Sequence, residues 1–259
     1  VTYSSSSEDP TATQQASSRV ISIVISDGNL TSTAVSRTVT VVPVNDVPVL
    51  ADMESSSLVY TENDAARAVS PSITVSDLDT LTDPVLDSAT VTISTGMRLG
   101  DVLAYPVTGS GVTAAFNATS GALSMVGSVS VADWQAALRS VTYSSSSEDP
   151  TGTQATADRT VSFVISDGDL TSSAVTRTVT VTPVNDVPVL ALVEMGALAY
   201  TENDAATVVS ATITVSDLDI LTDPVLDTAT VTIITGLTDG DVLAYSGSDV
   251  SIVSAYVAG

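Results

Sequence analysis

Carboxylates are almost the only chemistry open to this chain. It holds 30 Asp and Glu against 7 basic residues, all of them Arg, with no Lys, His or Cys. Catalysis that depends on an imidazole, thiol or amine is therefore absent, which leaves acids, Tyr and Ser/Thr hydroxyls. The acids fall in short motifs: Asn45-Asp46, Glu62-Asn63-Asp64, Asp77-Leu78-Asp79 and Asp167-Gly168-Asp169. Two Asp residues two apart at a strand end direct both carboxylates around one turn, a geometry suited to a hard cation with oxygen ligands. Without a cation each pair repels by roughly 1 kcal/mol at 4 Å in water, and by up to about 4 at a lower effective dielectric. A glycosidase-type carboxylate pair is the catalytic alternative. It is disfavoured because the same acids recur in successive copies at linkers instead of converging on one cleft, so no enzyme is expected.

Those copies are the second feature. Val1–Asp46 recurs as Val141–Asp186, identical at about three quarters of its positions. Pro43–Leu50 recurs at Pro183–Leu190, Tyr60–Ala66 closely at Tyr200–Ala206, Ile73–Asp79 at Ile213–Asp219 and Gly100–Tyr105 at Gly240–Tyr245. The acids recur with them, as Asp27, Asn185, Asp186, Glu202, Asp217 and Asp219. A repeat this faithful describes units stacked end to end.

The elements that must position these acids read as strands. Val161, Phe163 and Ile165 alternate with Thr160 and Ser162; Val179 and Val181 with Thr178, Thr180 and Thr182; Val91 and Ile93 with Thr90 and Thr92. Period-two patterning rich in Thr and Val is half-buried sheet. Asp167-Gly168, Thr119–Gly121 and the Ser/Glu/Asp/Pro cluster at 144–150 supply turns, the last read as an exposed loop. Several short strands with such spacing predict an all-β fold of tandem antiparallel sandwich domains. One short helix per repeat interrupts it, over 130–139, where Ser130 caps and Val131, Trp134 and Leu138 share a face. Pro-Val-Asn-Asp-Val-Pro after a strand predicts a stiff linker. The frame is then a C-terminal part of a unit at 1–46, a complete unit at 47–186 and the N-terminal part of a unit at 187–259.

In this order the motifs resemble those of the cadherin repeat, and more closely the long cadherin-like tandem repeats of large bacterial surface proteins and adhesins. Val-Asn-Asp-Val-Pro stands for the family's linker motif, Thr-Glu-Asn-Asp for its x-Glu-Asn, Val-Ser-Asp-Leu-Asp for its Asp-x-Asp, and Ile-Ser-Asp-Gly for its late Asp motif. The resemblance implies calcium at the junctions. At Asn45 and Asp46 the ligands would include Asp77, Asp79 and Asp167; at Asn185 and Asp186 they would include Glu62, Asp217 and Asp219. Asp27 and Glu202 would serve junctions to either side. Two departures thin the ligand set: Val47 and Val187 replace the linker's second Asn, and the family's Asp-x-Glu motif has no clear match. One or two ions per junction are expected instead of three. The interval from Asp-x-Asp to Asp-Gly is also about thirty residues longer than in the family.

A net charge of −23 excludes nucleic acid and anionic membrane surfaces as partners. No apolar run reaches the roughly 20 residues of a membrane span. The expected role is an extracellular, cell-surface spacer whose partners are neighbouring repeats. Identical chains joined head to tail in a filament, and glycans bound by a carbohydrate-binding module, are the alternatives.

Overall fold

Alternating Val/Thr runs become strands here where a neighbouring strand takes up their backbone hydrogen bonds. The computed structural model describes residues 1–11, 16–80, 83–152, 156–221, 225–245 and positions 247, 249, 252, 253 and 255. It falls into two units, Val1–Thr222 and Asp223–Gly259. In the first, β1 (Ser17–Ile23) and β2 (Val35–Val41) form a hairpin. Eleven strands follow: β3 (Val49–Ala51), β4 (Leu58–Thr61), β5 (Arg67–Ala68), β6 (Thr74–Ser76), β7 (Val85–Thr95), β8 (Asp101–Ala104), β9 (Thr113–Asn117), β10 (Ala122–Ser130), β11 (Thr142–Ser145), β12 (Ala157–Ser166) and β13 (Val175–Thr182). Helix α1 (Val131–Arg139) lies between β10 and β11, and the pair β14 (Val189–Ala191) and β15 (Thr214–Ser216) closes the unit.

Six strands form one sheet in the order β4-β13-β12-β7-β10-β9. Strands β5-β11-β8 and the pair β3-β6 build the other layer. Between them lies a core of Val, Ile, Leu and a few aromatics, among them Val91, Phe163, Val179, Leu103 and Tyr143, all fully buried. The two layers meet at Tyr60 and Tyr143, whose rings stand edge to face with centroids 5.1 Å apart. The result is an all-β sandwich with one short helix. As the alternation predicts, Val161, Phe163 and Ile165 face inward while Thr160 and Ser162 are half-buried.

Helix α1 forms where its pattern puts it. Ser130 Oγ accepts the amide of Asp133 at 3.2 Å and donates to its carboxylate at 2.6 Å, which ties the first turn. Trp134, Ala137 and Leu138 are its buried face. Trp134 Nε1 donates to the carbonyls of Leu86 and Gly127 at 2.6 and 3.1 Å, so the only Trp is core. The hairpin β9–β10 extends the six-stranded sheet beyond β7, and α1 returns the chain to the other layer at β11.

Two features differ from the sequence reading. The sandwich is not wholly antiparallel, because β4 pairs with β13 in parallel. The chain crosses from β3 in one layer to the edge of the other, and enters alongside β13 in the same direction. The second correction concerns 144–150. Ser144 and Ser145 belong to β11, opposite Val102 and Asp101 of β8, and Pro150 is buried. Strand pairing draws in Ser144 and Ser145 and a buried Arg holds Pro150, while Ser146, Glu148 and Asp149 are exposed as the polar composition suggests.

Candidate metal centre

The parallel β4–β13 pair determines where the acids at one pole of the sandwich gather. Both strands run toward the same end, so Glu62, just past β4, emerges beside the segment that leaves β13. Its amide donates to the Thr182 carbonyl at 2.9 Å, and its Oε2 accepts the Val184 amide at 2.8 Å. Glu62 is only 3% exposed, and its Oε1 is buried with no hydrogen-bond partner. Asp186 Oδ2 is in the same condition. One oxygen each from Glu62, Asp186 and Glu148 lie within 4.8 Å of one another, the only such group of three acids among the described residues. The Asp186 amide donates to Asp219 Oδ2 at 2.5 Å, and Asp219 is held in turn by its own amide on Asp217 Oδ1 at 2.9 Å.

Burial first, then the neighbouring acids, pushes the Asp186 carboxyl above its ordinary value; Asp219, Glu148, Asp217 and Asp149 are those neighbours. Glu62 is raised too: burial and the charges of Asp186, Glu148 and Asp219 outweigh the Val184 amide. A cluster in which carboxylates are raised by one another is one in which a cation would be stabilised. An ordered water or a hard cation would satisfy two such buried oxygens.

The opposite pole has the same plan. The Asp46 amide donates to Asp79 Oδ2, and Asn45 Nδ2 donates to Asp167 Oδ2 at 2.9 Å. Asp79 N donates to Asp77 Oδ1 at 2.8 Å, the Asx turn that closes Asp-x-Asp after β6. Burial, followed by Asp79, Asp167 and Asp83, raises Asp77 against the opposing amide of Asp79. Asp46 is raised by burial, Asp79, Glu8 and Asp9. Asp167 behaves differently. Burial raises it, but the amides of Leu170 and Asp169 and the Asn45 side chain together hold it below its ordinary value. That turn needs Gly168, which has φ of +103° and whose Cβ would stand 2.6 Å from Asp87 Oδ2.

The structure thus brings Asn45 to Asp167, Asp46 to Asp79, Asp77 to Asp79 and Asp167, and Glu62 and Asp186 to Asp219, with Asp217 beside Asp186. It leaves Asp27 exposed at the tip of the β1–β2 hairpin, where it accepts the amides of Asn29 and Leu30 at 2.9 and 2.8 Å. Glu202 is exposed. The residue missed by sequence reasoning is Glu148, together with its neighbour Asp149 and the earlier copy, Glu8-Asp9. They were read as part of a polar loop. The signal that could have found them was their identical recurrence beside a Pro in both copies.

No protein-family model matches the sequence, and no curated protein matches it. Among solved structures, the chain is similar to protocadherin gamma B2 extracellular cadherin domains 3–6, at 16% identity over 78% of this chain and 40% of that one, with a TM-score of 0.31. It is also similar to the protocadherin gammaB4 extracellular domain, at 17% identity over 62% of this chain and 22% of that one, with a TM-score of 0.24. The chain spans less than half the length of either. TM-scores this low leave the fold assignment to the sheet topology itself: an all-β sandwich with an acidic cluster at each pole.

Proposed function

We propose that this chain is a stretch of tandem sandwich repeats serving as an extracellular spacer of a bacterial adhesin-type surface protein, made rigid by calcium at its junctions. The observation that carries the reading is the pair of unpartnered buried oxygens, Glu62 Oε1 and Asp186 Oδ2, on residues that each bring a carboxylate oxygen within 4.8 Å of one from Glu148. Glu62, Glu148 and Asp186, with Asp217 and Asp219, would hold the ion at one junction. Asn45, Asp46, Asp77, Asp79 and Asp167 would do so at the other, and Asp27 and Glu202 would serve further junctions. The ion would supply the positive charge that turns carboxylate repulsion into a bridge between a linker and the sandwiches on either side. Extracellular sites of this type bind at about 10⁻⁴–10⁻³ M. At ten to a hundred times that constant, one ion adds roughly 1.4–2.7 kcal/mol, enough to straighten a hinge.

Small-angle X-ray scattering with calcium added and then chelated tests this. The maximum dimension grows and the profile stiffens with calcium, and Glu62→Gln shifts the transition to higher concentration. A profile indifferent to calcium sinks the reading. Head-to-tail pairing of identical chains is a second reading, favoured by the exposed Ile23 and Ile25 of the β1–β2 region, whose counterparts Phe163 and Ile165 are core. Light scattering that reports a monomer over a wide concentration range would remove it.

A further inference from the structure

One charged pair lies fully inside the sandwich. Arg159 and Asp101 are both inaccessible to solvent, joined Nε to Oδ2 at 2.6 Å. Tyr143 OH donates to the other Asp101 oxygen at 2.7 Å, and the Arg98 amide donates to Oδ2 at 2.7 Å. Two hydrophobic residues of similar volume would fill the space at no loss of stability. The network's outward contact is the informative one: Arg159 Nη2 donates to the Pro150 carbonyl at 2.7 Å. Pro150 ends the segment 146–150, which carries Glu148. At its other end Tyr60 OH donates to the Ser145 carbonyl at 3.1 Å and accepts the Ser145 amide at 3.2 Å. Ser146 N donates to the Gly100 carbonyl at 3.1 Å, and a Cβ on Gly100 would stand 2.8 Å from Ser147 N. The segment is therefore clamped at both ends and pressed against the turn that supplies Asp101.

The first copy keeps the outward contact. Arg19 Nη2 donates to the Pro10 carbonyl, two residues beyond Glu8, although Arg19 is part-exposed there. We infer that the Asp101–Arg159–Tyr143 network is a positioning device: it sets the 146–150 segment so that the Glu148 carboxylate reaches Glu62 and Asp186 and completes a cation site. The inference rests on the calcium reading above and adds to it the residues that govern its affinity.

The test is a double-mutant cycle on the full chain, read by terbium luminescence for affinity and by luminescence lifetime for bound waters. Removing groups that orient a metal ligand typically weakens binding by about 10–100-fold. Tyr143→Phe is expected to weaken terbium binding about tenfold and to add a bound water, with folding monitored by Trp134 fluorescence. Gly100→Ala crowds the same segment at Ser147 while keeping the side chains of the buried network and is expected to do likewise. In a Glu148→Gln background, Tyr143→Phe should have no further effect, because the ligand it positions is already gone. Equal effects in both backgrounds, or unchanged affinity and hydration in a folded Tyr143→Phe chain, overturn the inference and leave the calcium reading intact. Failure of the wild-type chain to bind either terbium or calcium overturns both.

Discussion

Residues 85–95 and 225–235 differ at two positions of eleven, Ser88 against Thr228 and Ser94 against Ile234. The first is the central strand β7, hydrogen-bonded to β10 and β12, with Val91 fully buried. The second forms no strand, and Val231 is 71% exposed. The same contrast runs through other copies: Tyr60 is buried and Tyr200 is 59% exposed; Phe163 is buried and its counterpart Ile23 is 49% exposed. Strand propensity and alternation are almost equal within each pair. Only the buried member of each faces an opposing layer: β7 and β12 are flanked on both sides, and β4, at the sheet edge, pairs with β13. A β-strand is thus a property of its partners, and the hydrophobic term appears only where a second surface excludes water.

Substitutions made in parallel across the copies sharpen this. Phe163→Ala removes a fully buried ring and is expected to destabilise by about 3–5 kcal/mol in urea unfolding followed by Trp134 fluorescence. Ile23→Ala is expected to change the same midpoint by less than about 0.5 kcal/mol. Equal losses at both positions would mean that the β1–β2 hairpin is packed in solution. Trp134→Phe keeps most of the apolar bulk but removes the N–H that donates to the Leu86 and Gly127 carbonyls, a loss of about 1–3 kcal/mol in urea unfolding followed by circular dichroism, since the substitution removes the only Trp.

Glu54 and Glu194 offer a copy pair in which the local structure survives without the core. Burial raises Glu54, but donors from Ser70 and Ser72 overcome it and hold it to about 2, against an ordinary 4.5. Exposed Glu194 is also held to about 2, by Ser210 and the amides of Ala211 and Thr212. For Glu54 the carboxylate is favoured in the folded state. Its contribution is complete above about pH 4.5 and is lost as pH falls through about 2. Carboxyl NMR titrations should give low values for both residues, and Ser210→Ala should return Glu194 toward the ordinary value. An ordinary value for wild-type Glu194 would mean that this turn too needs the sandwich. Ser130→Ala is expected to cost about 1 kcal/mol in urea unfolding, from loss of the α1 cap.

In the sandwich, the strand faces of β7, β12 and β13, the Asp167-Gly168 turn and the helix with its cap are all written locally. Alternation, turn residues and a capping Ser act over two to ten neighbouring positions, so a sequence carries them openly. The acidic motifs were legible for the same reason, since Asx turns such as Asp77-Leu78-Asp79 are built from adjacent residues. What the tertiary structure alone decided is which motifs meet. Parallel pairing of β4 with β13 sets Glu62 beside Asp186, 124 positions on. A buried Arg holds the Pro150 carbonyl, and two residues before it the exposed Glu148 lies within reach of that pair. Local rules determine the strands, turns and acids of this chain. Long-range pairing determines that three carboxylates come within 4.8 Å of one another, because only a closed sandwich brings such distant backbone together.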